Sequence, residues 1–314
     1  MAGTHKRTTP EIREGIVVKN AQLNFFMLVF DRYKLFALPY ITAALHHNEH
    51  AVIEMITDNP RYFNKPKMDF LNRHFPGRVT IRPIPGKFGG WKNKKLLKSV
   101  RWLDIPKTQT PYVYIGDVDI LILDRNIHLQ HLNHANKINK PYSNMVRRNG
   151  INMTGLHFVI RDPYYKQINE KYLNGIVQRL RTKKVNLKSL DERLLCRIVK
   201  EKLGLPKGND FRPVHGIHLS LHHPIIKWAS TGVCPPAFTK LVQTPAWSEG
   251  IRTVFDNRFK KVISTFQNHA LKLGREDQAL ATKILSGKFS KDEVQKFINR
   301  RQDIRTVKIS LQGE

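Results

Sequence analysis

Acidic residues are scarce in this chain of 314 residues: 25 Asp and Glu stand against 54 Lys and Arg, a formal charge of +29. Such a field favours polyanions: nucleic acid, an anionic membrane surface, a phosphorylated glycan or a nucleotide. The basic residues are spread along the chain (Lys92–Lys98, Arg147–Arg148, Arg179–Lys184, Lys260–Lys261, Arg300–Arg301) and do not gather in one tail. Cysteine is rarer still. Cys196 and Cys234 make neither a disulfide framework nor a CxxC zinc pattern, so a reducing, cytosolic compartment is expected. No apolar run approaches the ~18 residues of a membrane span. Any membrane contact is therefore expected to be peripheral, at an anionic surface. The opening MAGTHKRTTPEIREG is charged and lacks the apolar stretch of a secretory signal. Neither GxGxxG nor GxxxxGKS/T follows the first strand, which removes the phosphate-cradling loops of dinucleotide-binding and P-loop proteins. There are no internal repeats and no low-complexity segment.

What is present reads as alternating strands and helices. Residues 1–21 are polar and basic. LNFFMLVFD (23–31) is an apolar, aromatic and β-branched strand ending at Asp31. Residues 34–48 are long and apolar enough for a helix, with Pro39 near its start. A second strand, 51–60, closes at Asp58-Asn59-Pro60. A short helix at 67–74 precedes a third strand at 78–85, and 91–104 has helical spacing with a basic outer face. A fourth strand begins at Tyr112. This order predicts an open, mostly parallel α/β sheet with helices on both faces. Further on, 126–137 reads as a helix, 156–160 as a strand, 163–180 and 189–204 as helices, and 211–228 as a His-rich strand or loop. From 236 to 314 the chain reads as a basic, mostly helical extension beyond a domain at 22–235.

The chemistry centres on PYVYIGDVDILILD (111–124). An apolar run reaches Gly116, two acids follow at Asp117 and Asp119, and the chain turns apolar again. In open α/β sheets ligands bind beyond the carboxyl ends of the strands, where these two acids fall. Paired carboxylates there suit Mg²⁺ or Mn²⁺, which take oxygen ligands together with water and substrate phosphates. Such an ion neutralises a diphosphate leaving group. The lesser alternative is an ordinary acidic turn at the strand end.

YVYIGDVDILIL resembles the Asp-x-Asp strand of the GT-A glycosyltransferases, which use nucleotide-sugar donors. NMTGLHFVI (152–160), LDERLL (190–195) and VHGIHLSLHH (214–223) are similar, in type and order, to three later segments of that family. The resemblance spans about residues 22–230. It implies a GT-A-like fold and transfer of a sugar, from a donor expected to be UDP-linked, to a glycan, a glycolipid or another anionic acceptor. It assigns metal and diphosphate contacts to Asp117 and Asp119, a late metal ligand to His215 or His218, and donor or acceptor contacts to the turn at Thr154 and Gly155. A histidine ligand would tilt the site toward Mn²⁺. His215, beside Gly216, is the favoured choice over His218, His222 and His223.

The remaining candidates carry two readings each. Asp191 and Glu192, at a helix start, either cap it and oppose its dipole or act as catalytic base or acceptor-hydroxyl ligand. Glu276-Asp277 is similar chemistry in the wrong order. Arg101, on the helix before the fourth strand, reaches the donor phosphates or belongs to a solvated basic face. Asp31 and Asp58 bind base or ribose, or are turn acids. The competing function is a nucleotidyltransferase or a non-enzymatic polyanion or nucleic-acid binder. It rests on the charge and on the paired acids with metal that nucleotidyltransferases also use, while no recognised nucleic-acid motif is present.

Overall fold

The computed structural model describes residues 21–91, 93–147, 150–182, 190–206, 212–213, 215–219, 225–228, 234–260 and 306–308. In chain order its strands are β1 Leu23–Val29, β2 Ala51–Thr57, β3 Val79–Pro83, β4 Tyr112–Gly116, β5 Ile120–Leu121, β6 Tyr142–Ser143, β7 His157–Ile160, β8 Ile217–Leu219, β9 Ile225–Trp228 and β10 Thr306–Lys308. Its helices are α1 Ala37–His47, α2 Lys65–His74, α3 Lys94–Leu97, α4 Val100–Leu103, α5 Ile127–Lys137, α6 Arg161–Gln167, α7 Glu170–Thr182, α8 Leu190–Lys202, α9 Cys234–Val242 and α10 Pro245–Glu249.

Six strands form the main sheet in the order β3-β2-β1-β4-β7-β6. β1, β2, β3 and β4 run parallel, and β7 runs antiparallel to β4 and β6. The predicted α/β class and mostly parallel sheet are therefore present. Side-chain alternation along β1 feeds both faces. Phe25, Met27 and Val29 pack on one face with α1, Tyr114 and Phe158. Phe26 and Leu28 pack on the other with Trp102, Ile176 and Val199, from α4, α7 and α8. The chain leaves β1 toward β2 and β3, then returns to place β4 on the other side of β1. That reversal is the crevice where ligands of such sheets bind. β4 is held at its entry by Glu54. This wholly buried carboxylate of β2 accepts from Arg82 Nε (2.8 Å) and from the backbone N–H of Lys107 (3.0 Å) and Thr108 (2.8 Å).

Several expected elements divide. The helix expected at 91–104 is two short ones, α3 and α4, and all four residues of α4 are buried. The helix expected at 163–180 breaks before α7, because the Asn169 side chain accepts from the Tyr172 N–H (3.0 Å) and caps a new start. Pro39 is the third residue of α1, where its missing N–H costs nothing. Ser189, proposed as the cap of α8, lies outside the described residues, as do His222, His223, Glu276 and Asp277. Residues 238–259, assigned by sequence to the extension, bring Phe238, Leu241, Trp247, Phe255 and Phe259 into the core that also holds α1 and α2. Glu249 pairs there with Arg73 and His74 of α2.

The apolar run after the acid pair is not a continuation of β4. β5 belongs to a second, four-stranded sheet in the order β10-β9-β8-β5, all antiparallel. The Asp117–Asp119 turn is thus where the chain passes from one sheet to the other. Gly216 makes this joint close. It has φ +80°, and a Cβ there would overlap the carbonyl of Leu121 and crowd the Leu123 nitrogen. Gly216→Ala is expected to cost about 3 kcal/mol or more, from left-handed strain plus overpacking. A urea titration of both proteins measures it, and an unchanged midpoint would contradict this account of the joint.

Candidate functional site

Parallel pairing brings the ends of β1, β2 and β4 to one edge, and antiparallel β7 contributes its start to the same edge. That edge carries Asp31, Asp58, Asp117 and the Thr154–Gly155 turn. Arg101 of α4 reaches it from one face of the sheet. Its Nη1 donates to the Gly116 carbonyl (3.3 Å) and to Asp117 Oδ1, and its Nη2 lies 3.4 Å from Asp191 Oδ2 on α8. The guanidinium stacks over Trp102, 4.5 Å from the ring centroid. Burial works against its charge, and Asp117, Asp191 and Asp119 together outweigh that and raise its pKa. Gly155 is pressed against this cluster. A Cβ there would stand 2.9 Å from Asp117 Oδ2 and 3.2 Å from Arg101 Nη2.

Asp119 is buried one turn further on. Its carbonyl accepts from Leu219 N (2.6 Å) of β8, and its carboxylate faces His218 Nε2 at 3.5 Å. Burial raises its pKa, the nearby charge of Asp117 adds to that, and His218 opposes it. Tyr33, from the 3-10 helix Asp31–Phe36, sits in the field of both acids. Its pKa rises to about 12, chiefly from burial and then from Asp119 and Asp117.

His215, the favoured late ligand, is not at this site. Along β8 Ile217 and Leu219 face the core while His218 faces outward; His215 lies before the left-handed turn at Gly216 and is buried as well. It is wholly buried, with Nδ1 2.9 Å from Asp124 Oδ2 and Nε2 3.0 Å from His131 Nε2. His131 Nδ1 continues to Ser143 Oγ (2.7 Å), which also meets His134 Nδ1 (2.8 Å). Ionised Asp124 can only accept, so His215 carries its proton on Nδ1. Neutral His215 then accepts from His131 Nε2–H, His131 accepts from the Ser143 hydroxyl, and His134 donates to Ser143. The chain is a structural network that crosses from the second sheet to α5 and β6.

The other candidates divide in the same way. Glu192 is held by both Arg147 Nε (2.8 Å) and Nη2, and its backbone carbonyl accepts from Met153 N (3.2 Å). Thr154 donates to Asn144 Oδ1 (2.5 Å) and accepts from Arg212 Nε (2.6 Å). Asp31 and Asp58 form a separate pair at neighbouring strand ends. Asp58 accepts from Asp31 N (3.2 Å) and Lys34 Nζ (3.1 Å), while Asp31 pairs with Lys94, whose hydrogen bond lowers its pKa. Arg212 was missed by sequence reasoning; nothing marks it out from 53 other basic residues (54 less itself).

Asp117, Asp119 and His218 offer two carboxylates and an imidazole, a donor set that fits Mn²⁺ better than Mg²⁺. The buried Asp119 lacks a full counter-charge, which is the observation that favours a cation there. Among the described residues no group of three or more His, Cys, Asp or Glu gathers closely enough to hold a metal unaided. Water and substrate phosphates would complete the shell.

No protein-family model and no curated protein matches the chain. Solved structures do. The glycosyltransferase GlyE of Streptococcus pneumoniae TIGR4 is 11% identical over 58% of this chain and 44% of its own, with a TM-score of 0.42. The mannosyltransferase Ktr4p of S. cerevisiae is 12% identical over 80% of this chain and 88% of its own, with a TM-score of 0.39. S. aureus TarS is 9% identical over 88% and 78%, with a TM-score of 0.36. The match to GlyE spans less than half of that protein's length.

The buried histidines set an acid limit on stability. Burial lowers the pKa of His131 and His215 below the usual 6.5, and takes His47 to about 4 and His157 to about 3. Above pH 6.5 these groups are neutral folded and unfolded and cost nothing. Below it the unfolded chain takes up protons that the fold refuses, so stability declines until the folded pKa is reached. Each histidine contributes about 1.4 kcal/mol per pH unit in that window. Denaturant titrations between pH 7.5 and about 5 are expected to show the decline, and His157→Gln should reduce its slope.

Proposed function

We propose that the chain is a metal-dependent glycosyltransferase that moves a sugar from a nucleotide-diphosphate donor, UDP-linked as the first candidate, to a glycan, glycolipid or other anionic acceptor. The observation that carries this reading is the Asp117–Asp119 turn. It is an acid pair at the switch point of a mostly parallel sheet, one member buried without a full counter-charge and the other fixed by Arg101.

In this reading Asp117, Asp119 and His218 hold Mn²⁺ or Mg²⁺, which supplies charge neutralisation of the diphosphate leaving group. Arg101 orients Asp117 and ties it to Asp191. Gly155 lets the donor sugar approach, because any side chain there would fill the space against Asp117. Asp191 and Glu192 flank the acceptor hydroxyl. Asp191 is the better placed to orient or deprotonate it, since Glu192 is occupied by Arg147. Asp31 and Asp58 stand where the nucleoside would lie, each with a lysine to balance it. Residues 22–235 are proposed as the catalytic unit; of the basic extension 236–314, residues 238–259 pack on that unit, and its basic character is proposed to serve an anionic acceptor or membrane surface. No helix among the described residues is long and apolar enough to cross a membrane.

The test is a screen of nucleotide sugars for Mn²⁺-dependent hydrolysis, repeated on Asp119→Asn. Turnover is expected to fall at least about 100-fold, since the variant weakens the hold on the cation that would neutralise the leaving diphosphate. Burial disfavours the Asp119 carboxylate, so Asp119→Asn is also expected to melt no lower than the parent. Unchanged hydrolysis, or salt-sensitive duplex binding with no hydrolysis of any donor, would favour the nucleic-acid reading instead.

A further inference from the structure

Most charged groups at this edge have a partner of opposite sign, although two acids share one arginine. Asp117 and Asp191 share Arg101, Glu192 has Arg147, and Asp119 faces His218. Arg212 breaks the pattern. Its guanidinium is mostly buried, yet its hydrogen bonds go to neutral oxygens: Nε to Thr154 Oγ1 (2.6 Å) and Nη1 to its neighbour's carbonyl, Pro213 O (2.7 Å). No carboxylate among the described residues pairs with it. Burying a cation without a partner is costly, and here burial lowers the Arg212 pKa from its ordinary value.

The arginine is nonetheless held in place. Thr154 gives its own proton to Asn144 Oδ1 (2.5 Å), which leaves its oxygen to accept from Arg212, and Asn144 Nδ2 ties back to the Thr154 carbonyl (3.0 Å). A second polar group beside it lacks a partner. The hydroxyl of Tyr114 is fully buried and makes no hydrogen bond, and the phenol is close enough for it and Arg212 each to shift the other's ionisation. Asp117 and Arg147 also act on the ionisation of Arg212, and Arg212 acts on that of His131 and His215.

We propose that Arg212, with the Tyr114 hydroxyl beside it, forms an anion subsite at the Thr154–Gly155 turn that takes a carboxylate or phosphate carried by a substrate, apart from the donor diphosphate. This deepens the glycosyltransferase reading and rests on it for the words donor and acceptor. The guanidinium edge left by Thr154 and Pro213 is a donor surface suited to such an oxyanion.

Isothermal titration of the full chain at constant ionic strength tests this, with sodium phosphate and, separately, UDP plus Mn²⁺. Arg212→Gln is expected to bind phosphate about tenfold more weakly and UDP within about twofold of the parent. Tyr114→Phe, which keeps the ring and removes an unsatisfied hydroxyl, should fold well and lose about threefold in phosphate affinity. It serves if Arg212→Gln does not fold. Two further arms find the source of the anion. If the acceptor carries it, Arg212→Gln binds sn-glycerol 3-phosphate more weakly and treats UDP-glucose and UDP-glucuronate as the parent does. If the donor carries it, only the preference for UDP-glucuronate over UDP-glucose is lost. Equal phosphate binding by parent and variants would overturn the subsite and leave only the general basic surface. A parallel loss of UDP binding would overturn it too, by placing Arg212 in the diphosphate pocket. If UDP binds neither protein while the phosphate difference persists, the glycosyltransferase reading fails and the subsite stands.

Discussion

A buried guanidinium is costly unless anions surround it, and Arg101 organises this molecule through that requirement. It joins the short helix α4 to the end of the next strand, β4, through Asp117, and to the start of the distant α8 through Asp191. Because the arginine must be matched, Asp117 must point inward at the strand end, Gly155 must lack a side chain, and α8 must present its first turn to the sheet edge. The stacked Trp102 leaves the guanidinium little freedom to relax elsewhere. The acid pair therefore has two characters. Asp117 is fixed and balanced. Asp119, one turn on and in the second sheet, is buried and under-compensated.

The chain is strongly basic, yet the strand edge gathers Asp117, Asp119, Asp191 and Glu192 around Arg101, Arg147 and Arg212. General surface charge and local site charge are separate properties here. The first acts at long range on any polyanion and is screened by salt. The second works at contact distance, in groups removed from water, where one unmatched residue stands out against its neighbours. Among the described residues of this edge, Arg212 and Asp119 stand out in this way, with opposite sign.

Much of the architecture was legible in the sequence because its signals are local. Apolar runs bounded by turn residues located β1, β2, β3 and β4, and their alternation with helical spacing implied the parallel sheet. The acid pair was visible because strand ends in such sheets face ligands. What was hidden depends on pairing between distant segments. β5 looked like the continuation of β4, since an apolar run does not state which sheet it joins. His215 was preferred to His218 because of its glycine neighbour, whereas the alternation of Ile217 and Leu219 turns His218 outward, and His215, before the turn at Gly216, is buried. The aromatic residues Phe238, Trp247, Phe255 and Phe259 were read as part of a basic helical tail, since abundant lysine and arginine obscured a core-forming set. Arg212 carries no local signal at all; only the absence of a partner reveals it.

The passage of the chain from one sheet to the other at Asp117–Asp119 has a consequence for the order of assembly. β4 can join β1 as soon as it is made, and Arg101 is already present to meet Asp117. β5 has no neighbour to bond until β8 appears, roughly a hundred residues later, and Asp119 owes its carbonyl partner and its histidine to that strand. Pairings of such long sequence separation form slowly. On a ribosome the two halves of the acid pair would mature at different times. A nascent chain would first hold a sheet with one settled aspartate, and would acquire the buried one only after most of the protein had emerged.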